Sequence, residues 1–265
     1  MPAFGPLPIR ELFPEMLDVA DQLLLRWERF GEDAVIDAAD NMTRLTLDTI
    51  ALCAFDYRFN SFYQNEMHPF VGAMVDALAE AGSRARQPSF ATQVMLRTKR
   101  HYEADVRLMH EFSDQLIAER KRDPETGEKK DLLARMLAGR DPETSEALSD
   151  ENIRYQMVTF LIAGHETTSG LLSFALYFLL QNPEALERDR AEVDDVLGDE
   201  LPRVQDLVKL NYLEQILKET LHLWPTAPAT GVRPFAKTVI GGKYEVTPDD
   251  TVMILLPMLR RDPAV

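Results

Sequence analysis

The sequence predicts a mostly α-helical protein with a small β hairpin near its C-terminus. Apolar residues recur at helical spacing from Leu17 to Leu223, with polar turns between the periodic stretches. One stretch, from Ser149 to Gln181, is much longer than an ordinary helix of a globular protein. By contrast, residues 232–257 alternate between apolar and polar side chains and turn at Gly241-Gly242, which is typical of a hairpin.

Four amphipathic helices are predicted in the first half of the chain. The first stops at Gly31, the second follows a cap at Asp40 or Asn41, and the fourth ends near Asp123-Pro124. Their apolar positions span residues 17–27, 45–52, 70–81 and 94–116. Helices are therefore expected to form most of this half.

The long helix is the main element predicted in the second half. Ser149 is expected to cap it, and acidic residues follow at the end where the helix dipole is positive. It should continue to Gln181 over about 50 Å, at about 1.5 Å per residue. Such a helix is expected to cross the body of a large α domain.

Two shorter helices follow the long one. Asn182 is expected to cap the first, with Pro183 at its first position, and this helix should end near Gly198. The second covers residues 212–223 and is ended by Trp224-Pro225. The predicted hairpin comes after it.

Composition narrows the classes of partner. A net charge of −15 and a pI near 4.8 argue against binding to nucleic acid or to an anionic membrane surface. Cys53 is the single cysteine, which excludes an internal disulfide framework and favours a reducing, cytoplasmic location. No signal peptide and no membrane span is predicted, because no apolar run reaches the length of about 20 residues that a span needs.

The stretch AGHETT at residues 163–168 places polar residues inside the apolar long helix. The Thr167 hydroxyl can bond the Ala163 carbonyl four residues earlier and open the helix locally. Ala163 and Gly164 are expected to form a shallow groove for a flat ligand, while Glu166 and Thr167 provide an acid and a hydroxyl for proton delivery. In the alternative, these residues merely bend a core helix, and His165 and Glu166 point into solvent.

The same stretch partly matches the zinc-binding motif of metalloproteases. His165-Glu166 begins an H-E-x-x-H pattern, but Ser169 stands where the second histidine is required. The other histidines show no ligand spacing with His165: these are His68, His101, His110 and His222. The sequence therefore predicts no metal site built from protein side chains.

Several motifs together resemble the cytochrome P-450 monooxygenases. AGHETT at 163–168 is similar to the oxygen-binding helix of that family, and Glu219 with LWPTAP at 223–228 is similar to its later Glu-x-x-Arg helix. More narrowly, residues 44–63 and 151–179 resemble the bacterial self-sufficient fatty-acid hydroxylases. The resemblance implies a partial cytochrome P-450 fold around one long central helix, with residues 1–265 forming part of a haem-monooxygenase domain.

The resemblance also implies a role for individual residues. Ala163 and Gly164 would lie over the haem (heme), while Glu166 and Thr167 would deliver protons during oxygen cleavage. Thr167 is the first candidate among them. Three small residues would line the substrate channel near the haem: Ala163, Ala227 and Ala229.

The activity implied is hydroxylation of fatty acids with O2 and electrons from NADPH. In the similar hydroxylases the electrons come from a fused reductase domain that carries FMN and FAD. A different interpretation also stays open, in which the chain is a non-catalytic helical remnant that binds an apolar ligand or a partner protein.

Two segments of the family pattern are not matched by this sequence: the loop with the iron ligand and the first sheet. The family's iron ligand is a cysteine in a glycine-rich loop beyond the hairpin, and the sequence stops before such a loop. Cys53 does not match that ligand and is expected to be a small buried residue. Since the first sheet of the family would precede Met1, the chain is expected to be an internal segment of the domain, inactive by itself.

A third departure is His222, which stands where the family has the arginine of Glu-x-x-Arg. An arginine would form a forked pair with Glu219, which a single imidazole nitrogen cannot reproduce. The pair is expected to have a structural role at a buried site, so that leaving Glu219 partly unpaired would cost about 1 to 3 kcal/mol.

Overall fold

The computed structural model describes residues 6–31, 33–84, 96–141 and 143–262. The chain divides into two compact units, residues 1–166 and 167–265, and the boundary falls inside the longest helix. Within the described residues, no helix combines the length and the apolar character that a membrane crossing requires.

The first unit is helical. A short 3-10 turn, Ser61–Tyr63, lies between its third and fourth α-helices. In chain order the α-helices are α1 (Pro6–Glu11), α2 (Phe13–Phe30), α3 (Ala38–Phe55), α4 (Pro69–Arg84), α5 (Leu96–Arg122), α6 (Leu132–Ala138) and the first part of α7 (Asp150–Gln181).

The core of the first unit lies around α3. Helix α3 packs against α2 and α6, and α4 packs along α5. The largest side chains that are fully withdrawn from solvent come from four helices: Leu47, Phe55, Phe70, Met74, Leu133, Ile153, Met157 and Leu161. Close packing of large apolar side chains fixes the orientation of α3 and of the first part of α7.

The four helices predicted for this half are confirmed, with a correction at one cap. Asp37, rather than Asp40 or Asn41, caps α3, because its Oδ1 accepts a hydrogen bond from the Asp40 backbone N–H at 3.0 Å. Asp40 already lies in the first turn and pairs with Arg44 at 2.7 Å. Val94, predicted at the start of the fourth helix, lies outside the described residues.

The second unit contains the rest of α7, two further long helices and four short strands. The elements are α8 (Pro183–Leu197), α9 (Asn211–Leu223), β1 (Ala229–Val232), β2 (Thr238–Ile240), β3 (Tyr244–Val246), β4 (Val252–Leu255) and α10 (Leu256–Arg260). Strands β2 and β3 form the predicted hairpin, in which Gly241 and Gly242 have φ of +60° and +69°. Both glycines occupy the left-handed region, which other residues rarely adopt.

Strands β1 and β4 form a second antiparallel pair, from Ala229 opposite Leu255 to Val232 opposite Val252. Helix α8 begins at Pro183 and is followed by Gly198, as predicted. Asn182, however, does not cap α8 with its side chain. Its amide donates to the Phe178 carbonyl at 2.8 Å and thereby closes the end of α7.

Candidate active-site helix

Helix α7 is fixed at its start by a cap and by the core. The Ser149 hydroxyl accepts a hydrogen bond from the Asn152 backbone N–H at 3.2 Å, as the sequence predicts. Ile153, Met157 and Leu161 follow at four-residue spacing, and each is fully buried in the first unit. This stripe determines which face of the helix is buried at residues 163–166.

Gly164 lies where α7 approaches α3 closely. A Cβ atom built on Gly164 would be 2.8 Å from Ile50 Cγ1 and 3.0 Å from Ile50 Cδ1. Only a residue without a side chain fits this contact. The Cβ direction of Gly164 therefore points to α3. The groove role predicted for Gly164 beside the haem stays a prediction.

His165 is also part of the packed interior. Its side chain is buried, and its Nδ1 lies 3.0 Å from the Leu161 carbonyl, so Nδ1 is the nitrogen that donates. Its own carbonyl accepts a hydrogen bond from the Thr46 hydroxyl of α3 at 3.0 Å. The alternative in which both residues point into solvent is thus wrong for His165, whereas Glu166 is exposed, as that alternative expects.

The adjacent face of α7 is open. Ala163 and Glu166 are both exposed, and residues three apart on a helix share a face. Thr167, the first residue of the second unit, is exposed as well. The α-helical assignment runs through these positions without a break. The hydrogen bond from Thr167 to the Ala163 carbonyl stays a prediction.

Gly170 lies two residues after the AGHETT stretch, in the part of α7 that belongs to the second unit. A Cβ atom on Gly170 would be 3.1 Å from Thr226 Cγ2, so the segment after α9 approaches α7 closely there. One turn further on, the rings of Phe174 and Trp224 lie 5.3 Å apart. Gly170 thus permits packing of the chain that leads from α9 into β1.

Ala227 and Ala229 lie in this same connection. Ala229 is half-buried at the start of β1, and the neighbouring Pro228 carbonyl accepts a hydrogen bond from the Leu256 backbone N–H at 2.9 Å. Ala227 is exposed in the turn before the strand. Their role in lining a substrate channel stays a prediction.

Glu219 and His222 form a pair on the surface of α9. His222 Nδ1 lies 3.2 Å from Glu219 Oε2, and the two side chains are 49% and 61% exposed, respectively. Both side chains are thus open to solvent among the residues that the structure describes. The buried site expected for this pair in the complete domain stays a prediction.

Cys53 is a buried thiol in α3. Burial, together with the nearby Glu15 carboxylate, raises the pKa of Cys53 to about 12. Its Sγ lies 3.9 Å from the Leu12 carbonyl. The group therefore stays protonated at neutral pH and is a poor metal ligand, which confirms the packing role predicted for it.

The family of the chain follows from comparison with known proteins. The cytochrome P450 family model matches residues 1–265. The chain therefore belongs to the cytochrome P450 family.

The chain is similar to two curated fusion proteins and to one solved structure. It is 55% identical to the self-sufficient cytochrome P450 monooxygenase CYP505E3 of Phanerodontia chrysosporium, over 100% of the chain and 25% of that protein. It is 49% identical to bifunctional cytochrome P450/NADPH–P450 reductase 1 of Bacillus subtilis, over 99% of the chain and 25% of that protein. The cytochrome P450DA heme domain shares 46% identity with a TM-score of 0.88, covering 99% of the chain and 56% of that structure.

The chain thus spans about a quarter of the length of the curated relatives that it matches. The family implies a haem, and the residues of the chain fit that group on one side only. Ala163 keeps the exposed surface low at its own position, because its side chain is a single methyl group. The buried, protonated Cys53 does not fit the thiolate that the family uses at the iron.

The structure also brings together three residues that the sequence analysis did not group. Asp76 of α4 lies beside His101 and Asp105 of α5, and one atom from each lies within 4.8 Å of the others. The four-residue spacing of His101 and Asp105 was visible in the sequence. Asp76 comes from another helix, so only the packing of α4 along α5 reveals it.

Proposed function

We propose that residues 1–265 form part of the haem domain of a monooxygenase that hydroxylates fatty acids with O2 and electrons from NADPH. Membership of the cytochrome P450 family supports the reaction class. Relatives whose names describe cytochrome P450/NADPH–P450 reductase fusions support a reductase as the electron donor, with FMN and FAD as its cofactors.

The observation that carries the proposal is the open face of α7. The haem, when bound, supplies the activation of O2. Ala163 leaves space beside the helix for the flat group, because its side chain ends at Cβ. Glu166 is exposed, so its carboxylate can exchange protons with water. The Thr167 hydroxyl can accept one proton while it donates another, which is what a relay requires.

The packed face holds these groups in place. Gly164 and His165 tie α7 to α3 through the Ile50 contact and the Thr46 hydrogen bond. A proton donor must be positioned within hydrogen-bonding reach of its target, and a rigid helix achieves this better than a loop. The packed face of α7 therefore fixes the helix, and the open face presents the groups proposed to deliver protons.

The substrate part of the proposal rests on the sequence resemblance at residues 44–63 and 151–179. Three small apolar side chains suit the passage of a hydrocarbon chain: Ala163, Ala227 and Ala229. The 265 residues by themselves are proposed to be inactive, because Cys53, their one cysteine, is a buried thiol.

The proposal is tested with the complete protein, purified with haem and supplied with NADPH, laurate or palmitate, and isotopically labelled O2. The expected product is a hydroxy fatty acid that carries one labelled oxygen atom, and omission of NADPH is the control. Fatty-acid binding without any oxygenated product would favour the non-catalytic alternative. Turnover by the 265-residue chain alone would contradict its proposed inactivity.

A further inference from the structure

A small cleft lies between α4 and α5, away from the open face of α7. Its volume is about 290 Å³. Asp76 and Glu80 line it from α4, while Thr98, His101 and Asp105 line it from α5. Both helices belong to the first unit. The cleft therefore collects carboxylates and one imidazole from two packed helices.

Three of these side chains converge on one point. His101 Nε2 lies 3.2 Å from Asp76 Oδ2 and 3.6 Å from Asp105 Oδ2. Glu80 is engaged elsewhere, because its Oε1 pairs with Arg84 Nε at 2.7 Å. The convergent set thus consists of one imidazole nitrogen and two carboxylate oxygens.

Asp105 is the unusual member of this set. The residue is only 8% exposed, and its Oδ2 is buried without a hydrogen-bond donor in the parts of the chain that the structure describes. A buried carboxylate oxygen in that state is costly, because it has lost its water and gained no partner. The oxygen is directed at the imidazole side of the cleft, where His101 is its neighbour.

His101 cannot satisfy both carboxylates by hydrogen bonding. Its Nε2 has a single N–H, and the 3.2 Å distance to Asp76 is within hydrogen-bonding range. The 3.6 Å distance to Asp105 is too long for a hydrogen bond. An ordinary ion triad therefore leaves the Asp105 oxygen without a partner, whereas a cation placed between the three atoms would contact all of them.

We propose that Asp76, His101 and Asp105 bind one Zn²⁺ ion. Zinc takes imidazole nitrogen and carboxylate oxygen at about 2.0–2.2 Å in tetrahedral geometry, which sets neighbouring ligand atoms about 3.3–3.6 Å apart. The 3.2 Å and 3.6 Å separations seen here match that spacing. Imidazole favours zinc over magnesium or calcium, and a water molecule in the cleft completes the coordination.

The ion would link two helices that otherwise meet through side-chain packing. Asp76 belongs to α4, whereas His101 and Asp105 lie one turn apart on α5. A ligand that binds only the folded protein stabilises it in proportion to the logarithm of the ligand concentration. Zinc would therefore stabilise the α4–α5 pair. This proposal departs from the sequence-based prediction that the chain has no metal site built from protein side chains.

The test is a zinc titration of the complete protein after treatment with a chelator, followed by calorimetry and by elemental analysis with zinc counted separately from iron. One zinc ion per chain is expected. His101→Gln and Asp105→Asn should weaken binding about tenfold or more, since even loss of an outer-shell partner costs that much. His110→Gln, which changes a histidine of α5 outside the cleft, should bind as the unaltered protein does.

Equal zinc binding by His101→Gln and the unaltered protein would overturn the proposal, as would no binding at all. Asp76→Asn guards against a folding defect, because the Asp76 side chain is 56% exposed and can be changed without opening the core. It should also lose affinity. If Asp76→Asn folds normally and keeps full affinity, the three-residue site is wrong.

Discussion

Gly164 and His165 face α3 in the packed interior, whereas Ala163 and Glu166 lie on the exposed side of the same helical turn. Gly164 and His165 weaken an isolated helix, whereas Ala163 and Glu166 favour one. On the packed side, these residues allow close approach and carry a hydrogen bond between helices. On the open side, Glu166 is exposed to solvent.

The difference shows how two roles share one motif. Ala163 and Gly164 are both small, but an α-helix has about 3.6 residues per turn. Neighbouring residues therefore point in directions about 100° apart around the helix axis. Substitutions on the packed side should therefore change stability first. Substitutions on the open side should change chemistry and leave stability nearly unaltered.

The largest effect on stability is expected for Gly164→Ala. The new Cβ would lie 2.8 Å from Ile50 Cγ1, and overpacking of this kind costs about 1 to 3 kcal/mol, partly offset by the better helix propensity of alanine. Denaturant unfolding of the protein measures the change.

Gly72→Ala in α4 is the matched control, because a Cβ at Gly72 has nothing within 4 Å. This control should raise the free energy of unfolding by up to about 1 kcal/mol through helix propensity alone. In an Ile50→Ala background, which lacks Cγ1 and Cδ1, Gly164→Ala should cost less than in the unaltered protein, as a double-mutant cycle would show. Equal stabilisation by both glycine substitutions would contradict the close contact.

The smallest effect is expected for His222→Arg on the exposed side of α9. Because the Glu219 and His222 side chains are both largely exposed, the new ion pair should change the free energy of unfolding by no more than about 0.5 kcal/mol. Lys218→Arg, which alters the exposed pair with Glu214 on the same helix, is the control. A gain above about 1 kcal/mol, the upper end for exposed pairs, would instead support the buried site predicted from the sequence.

Local patterns in the sequence predicted much of the fold. The Ser149 cap, the long helix to Gln181 and the Gly241-Gly242 turn each depend on a few neighbouring residues, and the structure confirms all three. The pairing of β1 with β4 was not predicted, because it joins segments about twenty residues apart. Asn182 was predicted as a cap for α8 because the sequence cannot show which of two helix ends its amide contacts.

The candidate site likewise has features that the sequence predicted and features that depend on contacts between distant residues. The family resemblance identified the motif, but helix periodicity alone could not distinguish the side chain that faces α3 from the one that faces solvent. The role of Gly164 depends on Ile50, more than a hundred residues earlier in the chain, and Asp76 meets His101 across two helices. Contacts of this kind exist only after packing.

Thr167 is the residue at which the proposed proton delivery by the open face of α7 can be measured. In the complete protein, the hydrogen peroxide released and the product formed per NADPH are measured for Thr167→Ala, with Thr168→Ala as the exposed neighbouring control. Thr167→Ala should increase peroxide and lower product about tenfold or more, with the free energy of unfolding changed by less than about 0.5 kcal/mol. Thr167→Ser, which keeps the hydroxyl, should restore most of the product. An unchanged yield of product per NADPH in Thr167→Ala, or an equal loss of product in Thr168→Ala, would show that Thr167 has no special role in proton delivery.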